Sequence, residues 1–200
     1  MFTPDIFKRK TSGQWLSLLL LGALMGLTRY HHFGDSFHVP DASWATFFLG
    51  GLLIQGWRYF LVLCALAFGI DAFALQSDVS SFCVTPAYGF LIPTHAVLWF
   101  AGRKANILHT LQMTLLCFGA TLIAFLISDL SFFALSDSFA EQSLIAHLKI
   151  SLQYLGHYLL ITLGYSLTGF VVYRLFTRNI AAASMPRSTV SISQKFTTFP

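Results

Sequence analysis

The sequence predicts an all-α integral membrane protein whose membrane domain is a bundle of six transmembrane helices. Apolar residues make up 56% of the chain and charged residues only 10%, whereas a soluble domain carries about 25% charged residues. The mean hydropathy of +0.68 indicates the same class. Because 200 residues with this much apolar sequence leave no room for a separate soluble domain, we expect one membrane domain. The formal charge of +4 is too diffuse to indicate a nucleic-acid partner.

The predicted helices are apolar runs separated by polar or charged segments. They lie at roughly residues 14–28, 42–56, 59–75, 86–100, 107–127 and 147–176. Several are near or below the length of about 20 residues that a helix needs to cross a bilayer core. Arg58 marks the join between the second and third helices, because an arginine exposed to lipid in mid-membrane is costly. The membrane domain of 14–178 is flanked by a cytoplasmic segment, 1–13, and by a Ser- and Thr-rich tail, 179–200, which we expect to be disordered.

The basic residues predict which helix ends face the cytoplasm. If the N-terminus is inside and six helices cross the membrane, ten of the twelve Lys and Arg residues fall on the cytoplasmic side. The outer side then receives Arg29 and Lys149 together with seven of the eight acidic residues. The positive-inside rule counts only the basic residues, and they predict that both termini are cytoplasmic.

The most informative segment reads Ser-Phe-Cys-Val-Thr-Pro-Ala-Tyr and ends at Tyr88. Thr85 suits the N-cap of the fourth helix, and Pro86 suits its first position, where the missing N–H needs no partner. Cys83 therefore precedes a helix N-terminus, whose positive dipole end favours the thiolate that binds metals and attacks electrophiles. The alternative, of about equal weight, is that Cys83 is a small apolar packing residue.

The predicted outer loop between the first two helices is rich in possible metal ligands. Three histidines lie within eight residues of this loop: His31, His32 and His38. With Asp35 they can ligate a transition metal together with Cys83. In the alternative interpretation, which we favour for any single histidine, Asp41 or Ser43 caps the second helix and the histidines form hydrogen bonds within a folded loop.

Two further polar side chains are expected on the same outer face. Asp71 lies near the outer end of the third helix among apolar neighbours, so its carboxylate needs a partner or a cavity. Tyr88 lies in the first turn of the fourth helix, where its hydroxyl can face the outer mouth of the bundle. Its alternative role is that of an interfacial aromatic anchor.

Several catalytic classes lack their motifs. The sequence has no G-x-S-x-G, H-E-x-x-H or P-loop, so a hydrolase or ATPase working alone is unsupported, and any energy source has to come from a partner subunit. Cys64 and Cys117 lie in the middle of apolar helices and are interpreted as packing residues. No pair of cysteines has the spacing of a zinc or redox site.

Three parts of the chain together resemble a known family. They are His31-His32-Phe33-Gly34, then Val39-Pro40-Asp41-Ala42-Ser43 followed by Phe47-Phe48-Leu49, and finally Cys83-Val84-Thr85-Pro86-Ala87-Tyr88 with Arg103. This combination resembles BtuM, a family of small proteins of the bacterial inner membrane that are predicted to import cobalamin (vitamin B12). The resemblance covers about residues 14–104.

The resemblance implies a fold like that of the S-components of energy-coupling-factor (ECF) vitamin transporters. These have six helices and a ligand cavity open to the periplasm, in a multi-pass protein of the inner membrane. The implied partners are cobalamin, the lipid bilayer and either an ECF-type energising module or none.

The resemblance also implies roles for individual residues. Cys83 becomes the ligand of the corrin cobalt. The other implied cavity residues are His31 or His32, Asp71, Tyr88, Thr85 and Phe82. Polar side chains such as Thr85 are expected to bind the amides of the corrin, and aromatic ones such as Phe82 to cover its flat faces.

Thiolate ligation has chemical consequences for the implied ligand. Cobalt in a corrin has two axial positions, and a thiolate is a soft donor able to take one of them. Ligation deprotonates the thiol, so binding is expected to release a proton near neutral pH. If the vitamin carries cyanide, sulfur ligation can labilise it, and decyanation by Cys83 coupled to uptake is our hypothesis for an enzymatic activity.

Two other functions are kept as alternatives. The first is a transition-metal ion transporter or sensor that binds a bare ion through His31, His32, His38 and Cys83. The second is a structural subunit of a larger complex, in which Cys83 can be replaced without consequence. Colour separates the first alternative from the corrin hypothesis, because a protein purified with cobalamin is coloured and a zinc site is not.

Overall fold

In a computed structural model of the chain, the residues described are 11–29, 39–54, 56–76, 85–107, 109–136, 139 and 142–183. These residues form helices and no strand, which confirms the predicted all-α class. In chain order the helices are α1 (Thr11–Arg29), α2 (Ser43–Leu53), α3 (Trp57–Leu75), a 3₁₀ helix (Pro86–Phe90), α4 (Leu91–Lys104), α5 (Thr110–Leu135) and α6 (Leu144–Ala183).

The composition of the helices is that of a membrane protein. Within the described part of the chain, α3, α5 and α6 are long and apolar enough to cross a bilayer, and α2 is a shorter apolar helix. Large apolar side chains cover the outside of the bundle, such as Leu19 on α1, Leu111 on α5 and Leu160 on α6, which are 68%, 73% and 74% exposed. A surface of this kind is stable in lipid and unfavourable in water.

Helix α2 lies in the middle of the bundle, which explains why it is short yet almost entirely buried. It packs against α1, α3, α4 and α6. Gly51 on α2 and Gly102 on α4 let these two helices touch, because a Cβ at either position would overlap a backbone carbonyl oxygen of the other helix. Phe47 and Trp99 fill the core beside this contact and are fully buried.

The helix boundaries differ from the predicted ones at two places that matter. Helix α2 ends at Leu53, before the predicted 56, because the backbone of Ile54 is extended. Gly56, with a φ of +115° that favours glycine, then turns the chain into α3. Arg58 lies in the first turn of α3 and so remains near the join that it was expected to mark. Helix α5 continues to Leu135, well past the predicted end at 127, and therefore carries Asp129.

One end of the bundle gathers the acidic side chains of the described residues, Asp41, Asp71 and Asp129. At this end α1, α3 and α5 finish, and α2, the 3₁₀ helix and α6 begin. Hydrogen bonds join α1 to α3 and to the residues before α2, and they join the 3₁₀ helix to α3. We call it the site end. The opposite end carries Arg58 at the start of α3, and Arg103 and Lys104 at the end of α4.

Candidate functional site

A buried ion pair holds α1 and α3 together at the site end. The guanidinium of Arg29 donates two hydrogen bonds to the carboxylate of Asp71, from Nε to Oδ1 at 2.6 Å and from Nη2 to Oδ2 at 2.5 Å. The two side chains are only 11% and 3% exposed. A bidentate pair of this kind is among the strongest interactions that arginine makes. Arg29 is therefore the partner that the Asp71 carboxylate needs among its apolar neighbours.

Tyr88 is fixed by the same carboxylate. Its hydroxyl donates a hydrogen bond to Oδ2 of Asp71, and its ring meets that of Phe68 edge to face at 5.3 Å. Asp71 therefore sets the position of the 3₁₀ helix relative to α3. The hydroxyl of Tyr88 faces Asp71, rather than standing free at the mouth of the bundle.

The start of α2 joins the same group of side chains. Nη1 of Arg29 lies 3.1 Å from Oγ of Ser43 and 3.4 Å from Oδ2 of Asp41. Oδ1 of Asp41 accepts from the backbone N–H of Ser43 at 2.9 Å and from its hydroxyl at 2.6 Å. Nearby, the hydroxyl of Thr28 accepts from the N–H of Ala42 at 3.1 Å. We call Arg29, Asp41, Ser43, Asp71 and Tyr88 the arginine cluster.

A cavity of about 380 Å³ lies beside the arginine cluster, between the 3₁₀ helix, α5, α6 and the start of α2. Its walls are mainly aromatic, with Trp44, Tyr88, Phe125, Phe132, Tyr154 and Tyr158. The ring of Trp44 stacks on that of Tyr158 at 4.7 Å. The volume is within the range of about 300–1,000 Å³ that is common for small-molecule sites. Tyr88 belongs both to this wall and to the arginine cluster.

The polar part of the cavity wall comes from α5 and α6. Asp129 and Ser151 line the cavity, and His147 lies between them. Nε2 of His147 is 3.1 Å from Oδ1 of Asp129 and 3.2 Å from Oγ of Ser151. His147 is 5% exposed, and its ring packs against Phe133 and Phe139. Oδ2 of Asp129 is buried and has no hydrogen-bond partner among the described residues.

Asp129, His147 and Ser151 do not form a nucleophilic triad. In a Ser-His-Asp triad the carboxylate bonds one ring nitrogen and the hydroxyl the other, so that a proton can pass across the ring. Here Asp129 and Ser151 both contact Nε2 of His147. The arrangement orients a carboxylate and offers no activated hydroxyl.

The structure places three of the residues predicted for the site. Asp71 and Tyr88 are in direct contact. Thr85 occupies the N-cap of the 3₁₀ helix, with Pro86 at the first position as predicted. The carbonyl of Thr85 accepts from the N–H of Tyr88 at 2.9 Å, while its hydroxyl is buried and has no partner in the described part of the chain. The predicted fourth helix thus begins as a 3₁₀ helix of five residues, which leads into α4.

The other predicted site residues lie outside the described residues. They are Cys83, Phe82, His31, His32 and the further loop histidine His38. Their roles therefore remain predictions. Within the ranges that are described, no three His, Cys, Asp or Glu side chains come together as a metal site. Cys64 and Cys117 lie in the apolar core, 6% and 0% exposed, where they were expected to pack.

Sequence reasoning missed four functional candidates, namely Arg29, Asp129, His147 and Ser151. Arg29 had a signal, since it was one of two basic residues on a side rich in acids. The spacing of His147 and Ser151 by four residues places both on one face of a helix. Asp129 is one of the seven acids that the charge distribution places on the outer side, two residues past the end of the predicted fifth helix.

The fold and the site together define an α-helical membrane protein with an aromatic and polar cavity at one end. A scan against protein-family models finds no match, and a search of the curated proteins finds no significant one. The site's residues and their chemistry are thus the basis for inferring what the protein does.

Proposed function

We propose that the protein binds cobalamin and takes part in its uptake across the bacterial inner membrane, with the thiolate of Cys83 as a ligand of cobalt. The observation that supports this proposal best is the cavity at the site end. Its aromatic wall includes Tyr88, and Cys83 precedes Tyr88 by five residues in the segment that resembles BtuM.

Covalent geometry limits how far Cys83 can lie from this cavity. Successive Cα atoms are about 3.8 Å apart, so the Cα of Cys83 is within about 7.6 Å of that of Thr85 in any conformation. Thr85 caps the 3₁₀ helix that carries Tyr88 into the cavity wall. A ligand in the cavity is therefore within reach of the segment that carries the thiol.

The chemistry of the cavity suits part of a corrinoid. Flat apolar surfaces of such a ligand pack against aromatic side chains, here Trp44, Tyr154 and Tyr158. The amides at its periphery need polar partners, which Ser128, Asp129 and Ser151 can provide. A volume of about 380 Å³ is smaller than a whole corrinoid. The cavity thus receives one edge of the ligand while its cobalt faces Cys83.

Binding of cyanocobalamin includes an exchange of ligands that is redox neutral. The thiolate of Cys83 donates an electron pair to cobalt, and cyanide leaves with the pair of its bond to the metal. The proton of the thiol passes to water or to the released cyanide. Decyanation in this form consumes one cyanocobalamin per binding event and becomes catalytic when the decyanated corrinoid leaves.

Six membrane spans with both termini in the cytoplasm, as in an ECF S-component, belong to the same proposal. The distribution of charge along the bundle supports it, since Arg58, Arg103 and Lys104 lie at the end opposite the site end. Under the positive-inside rule these three basic residues are cytoplasmic in our proposal, and the site end, with Asp41, Asp71 and Asp129, is on the periplasmic side. The protein works with an energising module or alone.

The test is the visible absorption spectrum of the detergent-purified protein after incubation with cyanocobalamin. Sulfur ligation changes the electronic states of cobalt, so we expect an altered spectrum and release of cyanide. Cys83→Ser should abolish both, whereas the matched control Cys64→Ser should behave like the parent protein. A Cys83→Ser protein with the parent's altered spectrum would contradict the proposal. A colourless parent protein that binds zinc would favour the bare-metal alternative.

The orientation has a test of its own. In a variant that lacks Cys64 and Cys117, a membrane-impermeant thiol reagent added to spheroplasts should label Cys83. Addition of cyanocobalamin should slow this labelling, because a thiolate that is bound to cobalt is no longer free to react with the reagent. Absence of labelling both with and without the ligand would argue against a site that faces the periplasm.

A further inference from the structure

The wall of the cavity formed by α5 and α6 contains a carboxylate that is half paired. Oδ1 of Asp129 contacts His147, while Oδ2 is buried and has no hydrogen-bond partner among the described residues. Buried carboxylate oxygens are almost always hydrogen-bonded, because an unpaired one loses its hydration without compensation. Because Asp129 lines the cavity and its side chain is 13% exposed, a molecule bound there can donate a hydrogen bond to its carboxylate.

The position of this carboxylate is fixed by its neighbours. His147 holds Oδ1 and is itself held by Ser151, which lies one helical turn further along α6. Phe133 and Phe139 pack against the ring of His147, with centroids 4.8 Å away in each case. The carboxylate is therefore held in one orientation, as ligand recognition requires.

The chemistry of the Asp129 carboxylate defines the group that it can bind. An ionised carboxylate only accepts hydrogen bonds, so its partner must be an N–H or O–H donor. The surrounding rings of Phe125, Phe132 and Tyr158 exclude large polar groups, and they strengthen the preference for a donor attached to an apolar body. A carboxylate on the ligand would be repelled.

We infer that Asp129, oriented by His147 and Ser151, is a ligand-binding residue that accepts a hydrogen bond from a peripheral amide N–H of the corrinoid. The inference rests on the proposed function and assigns to Asp129, among the polar residues of the cavity wall, one kind of ligand group. Tyr88 of the 3₁₀ helix and Asp129 of α5 both line the cavity.

The experiment uses cyanocobalamin and its monocarboxylic derivatives, in each of which one peripheral amide has been hydrolysed to an acid. Affinities are measured by calorimetry with the purified full-length protein. The parent should bind cyanocobalamin, and one of the derivatives should bind about tenfold more weakly or worse, because its acid faces Asp129. In Asp129→Asn the same derivative should recover most of that loss, since an amide side chain can donate to the acid.

Two further variants separate binding from folding. Ser151→Ala should weaken binding of cyanocobalamin by a few fold, because His147 loses one of its two partners. Ser131→Ala is the matched control, since Ser131 is also a buried serine but bonds the carbonyl of Ser128 in its own helix. The control should bind like the parent. All variants are first compared by size-exclusion chromatography and thermal unfolding.

Failure of this inference and failure of the proposed function give different results. If the parent binds cyanocobalamin and every derivative binds equally well to the parent and to Asp129→Asn, the role of Asp129 is refuted and the proposed function stands. If the parent does not bind cyanocobalamin at all, the proposed function is refuted, and the role of Asp129 with it.

Discussion

Two carboxylates lie close to the ends of apolar helices on the same side of the bundle, and their surroundings differ. Asp71 on α3 has both oxygens engaged by Arg29, and Oδ2 also accepts from Tyr88. Asp129 on α5 has one oxygen bound to His147 and the other without a partner in the described chain. The first is paired with a full opposite charge, and the second with an imidazole that is itself shared with Ser151.

This difference indicates what each carboxylate does. Asp71 already accepts three hydrogen bonds and its side chain is only 3% exposed, so its main role is to join α1, α3 and the 3₁₀ helix and to set the position of Tyr88. Asp129 accepts fewer hydrogen bonds, is more exposed and lines the cavity, so it is the better candidate for direct contact with a ligand. The resemblance implies a ligand contact for Asp71, and that contact stays a prediction. The structure supports a role in which Asp71 acts through Tyr88.

The largest effect should come from separating the buried ion pair. Asp71→Asn leaves the guanidinium of Arg29 buried opposite a neutral side chain, and removing one member of a buried pair costs about 3–5 kcal/mol. We expect the free energy of unfolding, measured by SDS titration in detergent micelles, to fall by about this amount. Most of the protein should then lose its monodisperse state on mild heating.

A double variant sharpens this prediction. Arg29→Met combined with Asp71→Leu removes both charges, and replacing a buried pair by apolar residues is often neutral for stability. The double variant should therefore be much more stable than Asp71→Asn. If it were as unstable as the single variant, the loss would come from packing at these positions instead of from an unpaired charge.

Tyr88→Phe should have a smaller effect. It removes one hydrogen bond to Asp71 and keeps the ring against Phe68 and the cavity, so we expect a loss of about 1 kcal/mol in the free energy of unfolding. Tyr154→Phe is the matched control, since Tyr154 also lines the cavity but is 59% exposed. A wild-type unfolding curve for Tyr88→Phe would show that its hydroxyl does not stabilise the 3₁₀ helix.

The comparison also shows what the sequence could predict. The all-α class follows from long apolar runs, and the need of Asp71 for a partner follows from its apolar neighbours. The partner itself could not be named, because Arg29 and Asp71 are 42 residues apart and meet only through the packing of α1 on α3. The pairing is a property of the assembled bundle.

The end of α5 was misplaced for a related reason. A charged residue usually ends an apolar run, so the helix was predicted to stop at 127 and leave Asp129 in a loop. In the structure α5 continues to Leu135, because the carboxylate of Asp129 finds His147 on α6 and faces a cavity instead of lipid. An acid near the end of a membrane helix can thus extend the helix into the site.

Asp129→Asn should lower the free energy of unfolding less than Asp71→Asn or Tyr88→Phe does. The amide oxygen can still contact Nε2 of His147, and asparagine keeps the shape of the side chain. We expect the free energy of unfolding to change by less than about 1 kcal/mol, measured in the same SDS titration. A loss as large as that of Asp71→Asn would mean that Asp129 is a structural carboxylate, and it would remove the contrast between the two.

The smallest effect should come from Asp41, the second acid beside Arg29. Its Oδ2 lies 3.4 Å from Nη1 of Arg29, which is long for a charged hydrogen bond, and its side chain is 23% exposed. Asp41→Asn keeps the oxygen that accepts from the N–H and hydroxyl of Ser43. A partly exposed pair contributes at most about 1 kcal/mol, so the unfolding curve should shift by about 0.5 kcal/mol or less. A loss above about 2 kcal/mol would show that Arg29 depends on both acids, and that the arginine cluster works as one network of three charges.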